Sequence, residues 1–320
     1  MAGGASPHDT AREPRDGEDG RARGQRDGDG SSREQRDSDA DGAQAIHTVM
    51  FWNLHVVGFE RADGDDTRWR LQRDLVRERA PSVLMAAECW CWDLDDRALF
   101  EDARRELGMD GVLFEAKTGC HQAIFWRRDA VLLDSEAQPH ELVQWHGFGS
   151  VVLRLPGRRK PVRFTVAHLD PYSPTSRLIE SDRLRGVLGR DTVTPTVLAM
   201  DANTVPPGDP EPDWSKVPAH RLGNHMLPGR STADRTPVER LLSAGDTVLL
   251  NDVAAHFGDR RPTFAEHGSK EPPRRIDLFL LSGGLLPSTV AYRVVEDRRL
   301  DPSGGPVASD HHPVEIDLRS

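Results

Sequence analysis

Apolar residues in this chain fall into short dense blocks separated by amphipathic stretches, a pattern that predicts buried strands alternating with surface helices. The first block, Ile46 to Leu54, is dense in β-formers and brings a polar side chain, Asn53, to its end. After a Gly/Asp loop from Gly58 to Asp66, Thr67 is placed to cap a helix reaching about Arg79, with Leu71, Leu75 and Val76 as its buried stripe. Residues 81 to 88 predict a second strand, almost wholly apolar and therefore covered on both faces, that terminates in Glu88. A carboxylate at that place is costly unless it is paired or binds a cation.

A helix from about Asp95 to Leu107 leads to strands at Gly111 to Glu115, Gln122 to Trp126 and Val131 to Asp134. Val151 to Leu155 and Val162 to Ala167 predict a hairpin across Pro156-Gly157-Arg158-Arg159, and its second strand runs into His168-Leu169-Asp170. A helix from about Thr175 to Leu188 precedes the strand Thr196 to Met200, which again ends on polar residues, Asp201 and Asn203. Residues 204 to 234 are rich in Pro, Gly and Asp, with Trp214, His220, Arg221, His225 and Arg230 scattered among them; a loop so long is expected to be a functional lid or a mobile excursion. There follow a helix near Pro237 to Ser243, a strand at Thr247 to Leu250, and Pro262-Thr263-Phe264. The apolar block Arg274 to Leu281 has Asp277 embedded in it, and the last strands lie near Val290 to Val295 and Val314 to Leu318. Hairpins mixed with helical connections predict an α/β fold with two facing sheets and helices outside.

Composition narrows this picture. Residues 1 to 45 have almost no large apolar side chain and are expected to form a disordered polar tail, leaving residues 46 to 320 as the folded domain. That tail holds eleven acidic residues against seven arginines, so it supplies −4 of the net charge of −10 and offers no basic arm for a phosphate backbone. Cys89, Cys91 and Cys120 are an odd set without a second Cys pair, which predicts ordinary reduced thiols and a cytoplasmic location. No stretch approaches the roughly 18 apolar residues of a membrane span, so a soluble protein that needs no membrane, and a monomer, is expected.

The strand-end residues carry the candidate chemistry. Asn53, Glu88, His168, Asp201, Asn203, Asp277, Asp310 and His311 are mainly oxygen ligands with imidazoles, which favours a hard cation over zinc, and the P-loop, nucleophile-elbow and dinucleotide fingerprints are absent. What remains is attack by activated water on an ester. The motifs Trp52-Asn53-Leu54, Ala87-Glu88, His168-Leu169, Met200-Asp201-Ala202-Asn203, Pro262-Thr263-Phe264, Arg275-Ile276-Asp277 and Ser309-Asp310-His311 stand in one order along residues 46 to 320. In that order the chain resembles the endonuclease/exonuclease/phosphatase superfamily, which includes deoxyribonuclease I. The resemblance implies a four-layered α/β sandwich of two facing mixed β-sheets flanked by helices, and Mg²⁺ (or Mn²⁺) as cofactor. It implies Glu88 as principal metal ligand with Asn53 and Asp310 supporting it, and His311 as catalytic imidazole oriented by Asp277. Asp201 and Asn203 would position water and phosphate, His168 would contact phosphate, and Thr263 would be a supporting hydrogen-bond donor. Two positions depart from the pattern: Ala87 stands where Gln is common, and His168 where apurinic-site endonucleases have Tyr.

The substrate is expected to be a phosphoester, foremost DNA or RNA. Arg68, Arg70 and Arg73 around Trp69, together with Arg127-Arg128, Arg158-Arg159-Lys160 and Arg274-Arg275, are the candidate basic contacts, although a solvated helix face and hairpin turn explain them equally well. The competing readings are a phosphatase for a small phosphoester, with 204 to 234 as the sorting lid, and a binding protein that has lost catalysis. The second would be expected to lack Glu88, Asp277 or His311, all of which are present.

Overall fold

The computed structural model describes residues 44–138, 145–265 and 271–320, so the tail expected at 1 to 45 lies almost wholly outside the described residues. In chain order the elements are β1 (Ile46–Asn53), α1 (Val57–Ala62), α2 (Thr67–Arg79), β2 (Val83–Ala87), α3 (Leu94–Leu107), β3 (Met109–Phe114), β4 (Gln122–Arg127), β5 (Val131–Gln138), β6 (Phe148–Arg154), β7 (Val162–His168), α4 (Pro174–Leu188), β8 (Thr196–Asp201), α5 (Ala219–Leu222) and α6 (Thr236–Leu242). The short strands β9 (Ser243–Ala244), β10 (Thr247–Val248) and β11 (Asn251–Asp252) come next, then α7 (Val253–His256), β12 (Asp277–Leu281), β13 (Thr289–Val294) and β14 (Val314–Arg319).

Two six-stranded sheets, in the orders β13-β14-β1-β2-β4-β3 and β11-β12-β8-β7-β6-β5, form the centre of the fold. Each sheet has a parallel pair, β1 with β2 and β7 with β8, connected through helices as parallel pairing requires, and their other pairs are antiparallel. Alternating strand residues point to the two faces of each sheet. Val49, Phe51, Val83, Met85 and Ile124 meet Val151, Phe164, Val166, Val197 and Phe279 between the sheets. Met50, Trp52, Leu84 and Phe125 point outward against Trp69, Leu75 and Val76 of α2 and Phe100 of α3. Ala167, Leu198, Met200 and Leu278 point outward against Leu184 of α4 and Val238 and Leu241 of α6. Both faces of both sheets are therefore buried, which is why the strands read as continuous apolar runs, and the result is a four-layered α/β sandwich.

Several local expectations are corrected. The stretch read as a Gly/Asp loop begins with helix α1, and a side chain at Gly58 would be impossible because its Cβ would lie 1.5 Å from the Trp90 carbonyl oxygen. Thr67 does not cap α2; it is the first helical residue, and its amide donates to Asp65 Oδ1 at 2.8 Å. Asp277 opens β12 instead of lying inside it, because Arg274, Arg275 and Ile276 belong to the preceding connection. Residues 204 to 234 form neither a bare loop nor a loose excursion. Val205, Trp214, Val217 and Ala233 make a small core of their own, Thr204 Oγ1 donates to Asp234 O at 2.6 Å, and Arg235 donates to the Pro206 and Asp209 carbonyls at 2.6 and 2.8 Å.

Candidate active site

Register across the second sheet aligns three candidate residues. His168 at the end of β7 lies opposite Asp201 at the end of β8, and Asp201 lies opposite Asp277 at the start of β12. In the facing sheet Asn53 ends β1 beside Ala87 of β2, so Glu88 emerges from the same edge. His55, Glu88 and Asn203, each one or two residues past a strand end, have φ of 51°, 60° and 48°. Left-handed backbone is uncommon for such residues and is concentrated at functional sites.

The row is joined by hydrogen bonds. Asn53 Nδ2 donates to Glu88 Oε1 at 3.1 Å and to Asp201 Oδ2 at 3.0 Å, linking the two sheets, while Asn53 Oδ1 accepts from the His55 amide at 2.9 Å. Asp201 Oδ1 accepts from the Asn203 amide at 2.9 Å, and Asn203 Nδ2 donates to Leu169 O at 3.0 Å. His168 Nε2 lies 3.5 Å from Asp201 Oδ2. Burial holds the His168 imidazole well below its ordinary range, at about 4, so the ring is neutral at neutral pH.

His311 closes the row from the last loop. Its Nδ1 faces both oxygens of Asp277, at 2.8 and 3.1 Å, and its Nε2 is 3.8 Å from Asp201 Oδ2. The ring is held in place through the backbone: Trp52 Nε1 donates to His311 O at 2.9 Å, the His311 amide donates to Ser309 Oγ at 3.0 Å, and Ser309 Oγ donates to Asn53 O at 2.8 Å. Burial would lower this imidazole, but the carboxylates of Asp277 and Asp201 outweigh it and raise the pKa to about 10. Raised so far, the ring is a cation at neutral pH, suited to donate a proton or hydrogen bond from Nε2 and unsuited to act as a base. Thr263 is fully buried behind Asp277, and its Oγ1 accepts from the Ile276 and Asp277 amides at 3.1 and 3.0 Å, so it shapes the entry to β12 and does not itself line the cleft.

On the opposite wall, Glu88 Oε2 accepts from Trp90 Nε1 at 3.2 Å, so its named partners, that indole and the Asn53 amide, are neutral donors. Asp310 faces His55 Nδ1 at 3.2 Å, and despite burial the hydrogen bond to His55 and the nearby His311 hold its carboxyl down at about 2. Two carboxylates on one cleft, one of them without a cationic partner among these bonds, fit a divalent cation of oxygen-ligand preference. Asn53, with its amide already spent on Glu88, Asp201 and His55, fits as the residue that aims Glu88.

Glu88, His168, Asp201, Asn203, Asp310 and His311 all line one cleft of about 560 Å³, and Asn53, Asp277 and Thr263 support it from behind. Arg221 and His225 of the expected lid and the basic candidate Arg274 also line the cleft, whereas the sequence motifs did not point to its aromatic rim or to His146. Trp90, Trp145 and Tyr172 form an aromatic rim, with Phe59 stacked on Trp90 at 5.1 Å and Trp145 edge-on to Tyr172 at 5.9 Å. His146 lies against His168 with ring centroids 4.3 Å apart. Arg221, His225 and Arg274 close another side, Arg274 sitting 4.5 Å over the Phe264 ring. The expected basic helix face is otherwise engaged: Arg68 pairs with Glu60, Arg73 with Asp74 and Glu106, and Trp69 is core. Arg275 is buried among Asp209 and Asp252 and never reaches the cleft. Among the described residues no helix is long and apolar enough to cross a membrane.

No protein-family sequence model matches the chain, and no curated protein matches it in sequence. Solved structures match by shape. An endonuclease/exonuclease/phosphatase family protein from Bacteroides thetaiotaomicron superposes with a TM-score of 0.58 at 19% identity, covering 86% of this chain and 95% of the other. D. rerio TDP2 complexed with single-strand DNA product gives 0.61 at 15% identity, over 87% and 100% of the two chains. A mannosyl-6-phosphatase from Bacteroides thetaiotaomicron gives 0.58 at 18% identity, over 84% and 98%.

Proposed function

From the premise that this chain has the fold of the endonuclease/exonuclease/phosphatase superfamily, we propose that its cleft hydrolyses phosphoesters with a divalent cation and metal-activated water, acting foremost as a nuclease or phosphodiesterase. The observation that carries this reading is the convergence of a cationic His311, backed by Asp277, with the carboxylates of Asp201, Glu88 and Asp310 on one concave surface. The cationic His311 imidazole matches the negative phosphoryl group, and the carboxylates match a cation and a water molecule.

Each residue has a role that follows from its partners. His311 donates from Nε2 to a phosphoryl oxygen and stabilises the charge that develops there, a kind of interaction worth about 10²–10³ in rate. Asp201, held by the Asn53 and Asn203 donors, accepts from the attacking water and orients it. Neutral His168 and the Asn203 amide complete the phosphate side of the cleft. Glu88 and Asp310 would hold a magnesium or manganese ion, which would supply charge neutralisation and Lewis acidity in the cleft. The aromatic rim of Trp90, Trp145 and Tyr172 offers π-faces to bases of a nucleotide or single strand, a contact that tolerates sequence.

A second reading, a phosphatase for a small phosphoester, is favoured by the cationic lining: Arg221 and Arg274 are the arginines of the cleft, with no lysine beside them among the described residues. That is little charge for tracking a long backbone. The test is cleavage of supercoiled plasmid, single-stranded DNA and small phosphate monoesters with Mg²⁺, Mn²⁺ or chelator, with His311→Ala beside wild type. Metal-dependent cleavage of nucleic acid that the variant lacks supports the first reading, and turnover of monoesters alone supports the second. Inactivity on all three classes removes the proposal.

A further inference from the structure

Beside the His168 edge of the cleft lies a cluster that hydrolysis does not use. Cys120, just before β4, and His146, just before β6, are both buried against His168 at the end of β7. One ligand atom from each lies within 4.8 Å of the others. Cys120 Sγ is 3.6 Å from His168 Nδ1. Zinc binds cysteine sulfur at about 2.3 Å and histidine nitrogen at about 2.0–2.1 Å, so a tetrahedral site places the two donor atoms about 3.5 Å apart. That edge of the tetrahedron is already in place.

The surroundings match those of a ligand set. A metal-bound histidine commonly uses its second nitrogen on a carboxylate or other oxygen, which fixes the tautomer. His168 Nε2 has Asp201 Oδ2 at 3.5 Å, leaving Nδ1 toward the cluster. His146 Nδ1 has Thr118 Oγ1 at 3.0 Å, leaving Nε2, and the same hydroxyl accepts from the Cys120 amide at 3.4 Å. His146 and His168 line the cleft, which gives a cation an entry path and the site an open fourth position. One sulfur and two imidazoles select a zinc-class ion, whereas the oxygens of Glu88 and Asp310 select magnesium.

We propose that Cys120, His146 and His168 form a binding site for a zinc-class cation, and that its occupation withdraws His168 from the phosphoester. Binding breaks the Cys120 S–H bond, forms a metal–sulfur bond and releases one proton to solvent. The inhibition rests on the proposed hydrolase function; the binding does not.

The test is titration of the metal-free full-length chain with Co²⁺. One equivalent is expected to give a thiolate-to-cobalt absorption and tetrahedral d–d bands, displaced by stoichiometric Zn²⁺ and not by excess Mg²⁺. Cys120→Ala is expected to abolish the thiolate band, and His146→Gln, which keeps the thiol, to weaken Co²⁺ binding by at least the roughly tenfold that losing an outer-shell partner costs, with folding of both checked by circular dichroism. A wild type without the thiolate band, or a band that survives Cys120→Ala, overturns the site. In Mg²⁺-supported hydrolysis, Zn²⁺ is expected to inhibit wild type and to leave Cys120→Ala at its own zinc-free rate. Cobalt binding without zinc inhibition overturns the role given to His168. Absence of hydrolysis in wild type counts against the hydrolase function, and the cobalt spectrum still decides the metal site.

Discussion

Replacing Asp277 by Asn removes the charge behind His311 while keeping the side-chain shape. The distance between the ordinary imidazole value of 6.5 and about 10 corresponds to about 5 kcal/mol of preference for the charged ring. Without the Asp277 carboxylate, burial is opposed by Asp201 and Asp310 only, and the ring's pKa falls back toward the ordinary imidazole range. At pH 7.5 wild type is then essentially all imidazolium and a smaller fraction of the variant is charged. Loss of the charged donor, together with looser orientation, predicts a fall in kcat of about 10²–10³-fold at pH 7.5. The deficit relative to wild type at the same pH is expected to shrink toward pH 6, where the variant ring regains its proton. Stability follows the same linkage. A raised folded pKa contributes stability that is complete below 6.5 and lost as pH climbs through about 10, so the Tm gap between wild type and Asp277→Asn should narrow across that interval. The assays are phosphodiester hydrolysis from pH 6 to 9, Tm by circular dichroism, and NMR titration of the His311 ring in metal-free protein. A wild-type rate for the variant at pH 7.5, or a deficit that does not change with pH, refutes the assignment of His311 as a charged donor.

Three further substitutions probe other parts of the molecule. Glu88→Gln should lower Mg²⁺ affinity by calorimetry at least the roughly tenfold that losing an outer-shell partner costs, without changing the far-UV spectrum, because the Asn53 and Trp90 donors can still bond to an amide oxygen. Arg275→Met removes the fully buried guanidinium that bridges Asp209 and Asp252, leaving Asp252 without that cation and Asp209 with Arg260, so it should cost about 3–5 kcal/mol in denaturant melts. Trp145→Ala, at a rim position 46% exposed, should raise KM for nucleotide substrates about tenfold with little change in kcat, consistent with about 1–3 kcal/mol for a stacked base.

The strand ends were legible because each buried run stops abruptly on a polar residue, and the sheet register carries His168, Asp201 and Asp277 into one row. The continuous apolar runs therefore predict the strands, and the polar residue closing each run predicts the edge at which chemistry collects. Helix α1 was hidden because its six residues include Gly58, whose purpose is the close approach to Trp90, not a turn. Arg275 read as half of a surface basic pair since burial of an arginine is decided by partners far along the chain, here Asp209 and Asp252. The 204–234 region read as a loop because its apolar residues are too few for any periodicity, yet Trp214 finds Val205, Val217 and Ala233 in space. Cys120 and His146 gave no signal for the same reason: a thiol and an imidazole 26 residues apart become a cluster only when β4, β6 and β7 pack together.

Attack of water on phosphorus in this cleft is tested by hydrolysing a single-stranded oligonucleotide in ¹⁸O-labelled water with Mg²⁺, using wild type and His311→Ala, and locating the label by mass spectrometry. Wild type is expected to leave one ¹⁸O in the phosphate of the product after a single turnover, and the variant to give no release above background. Label in the sugar hydroxyl, or equal release by both proteins, would contradict it.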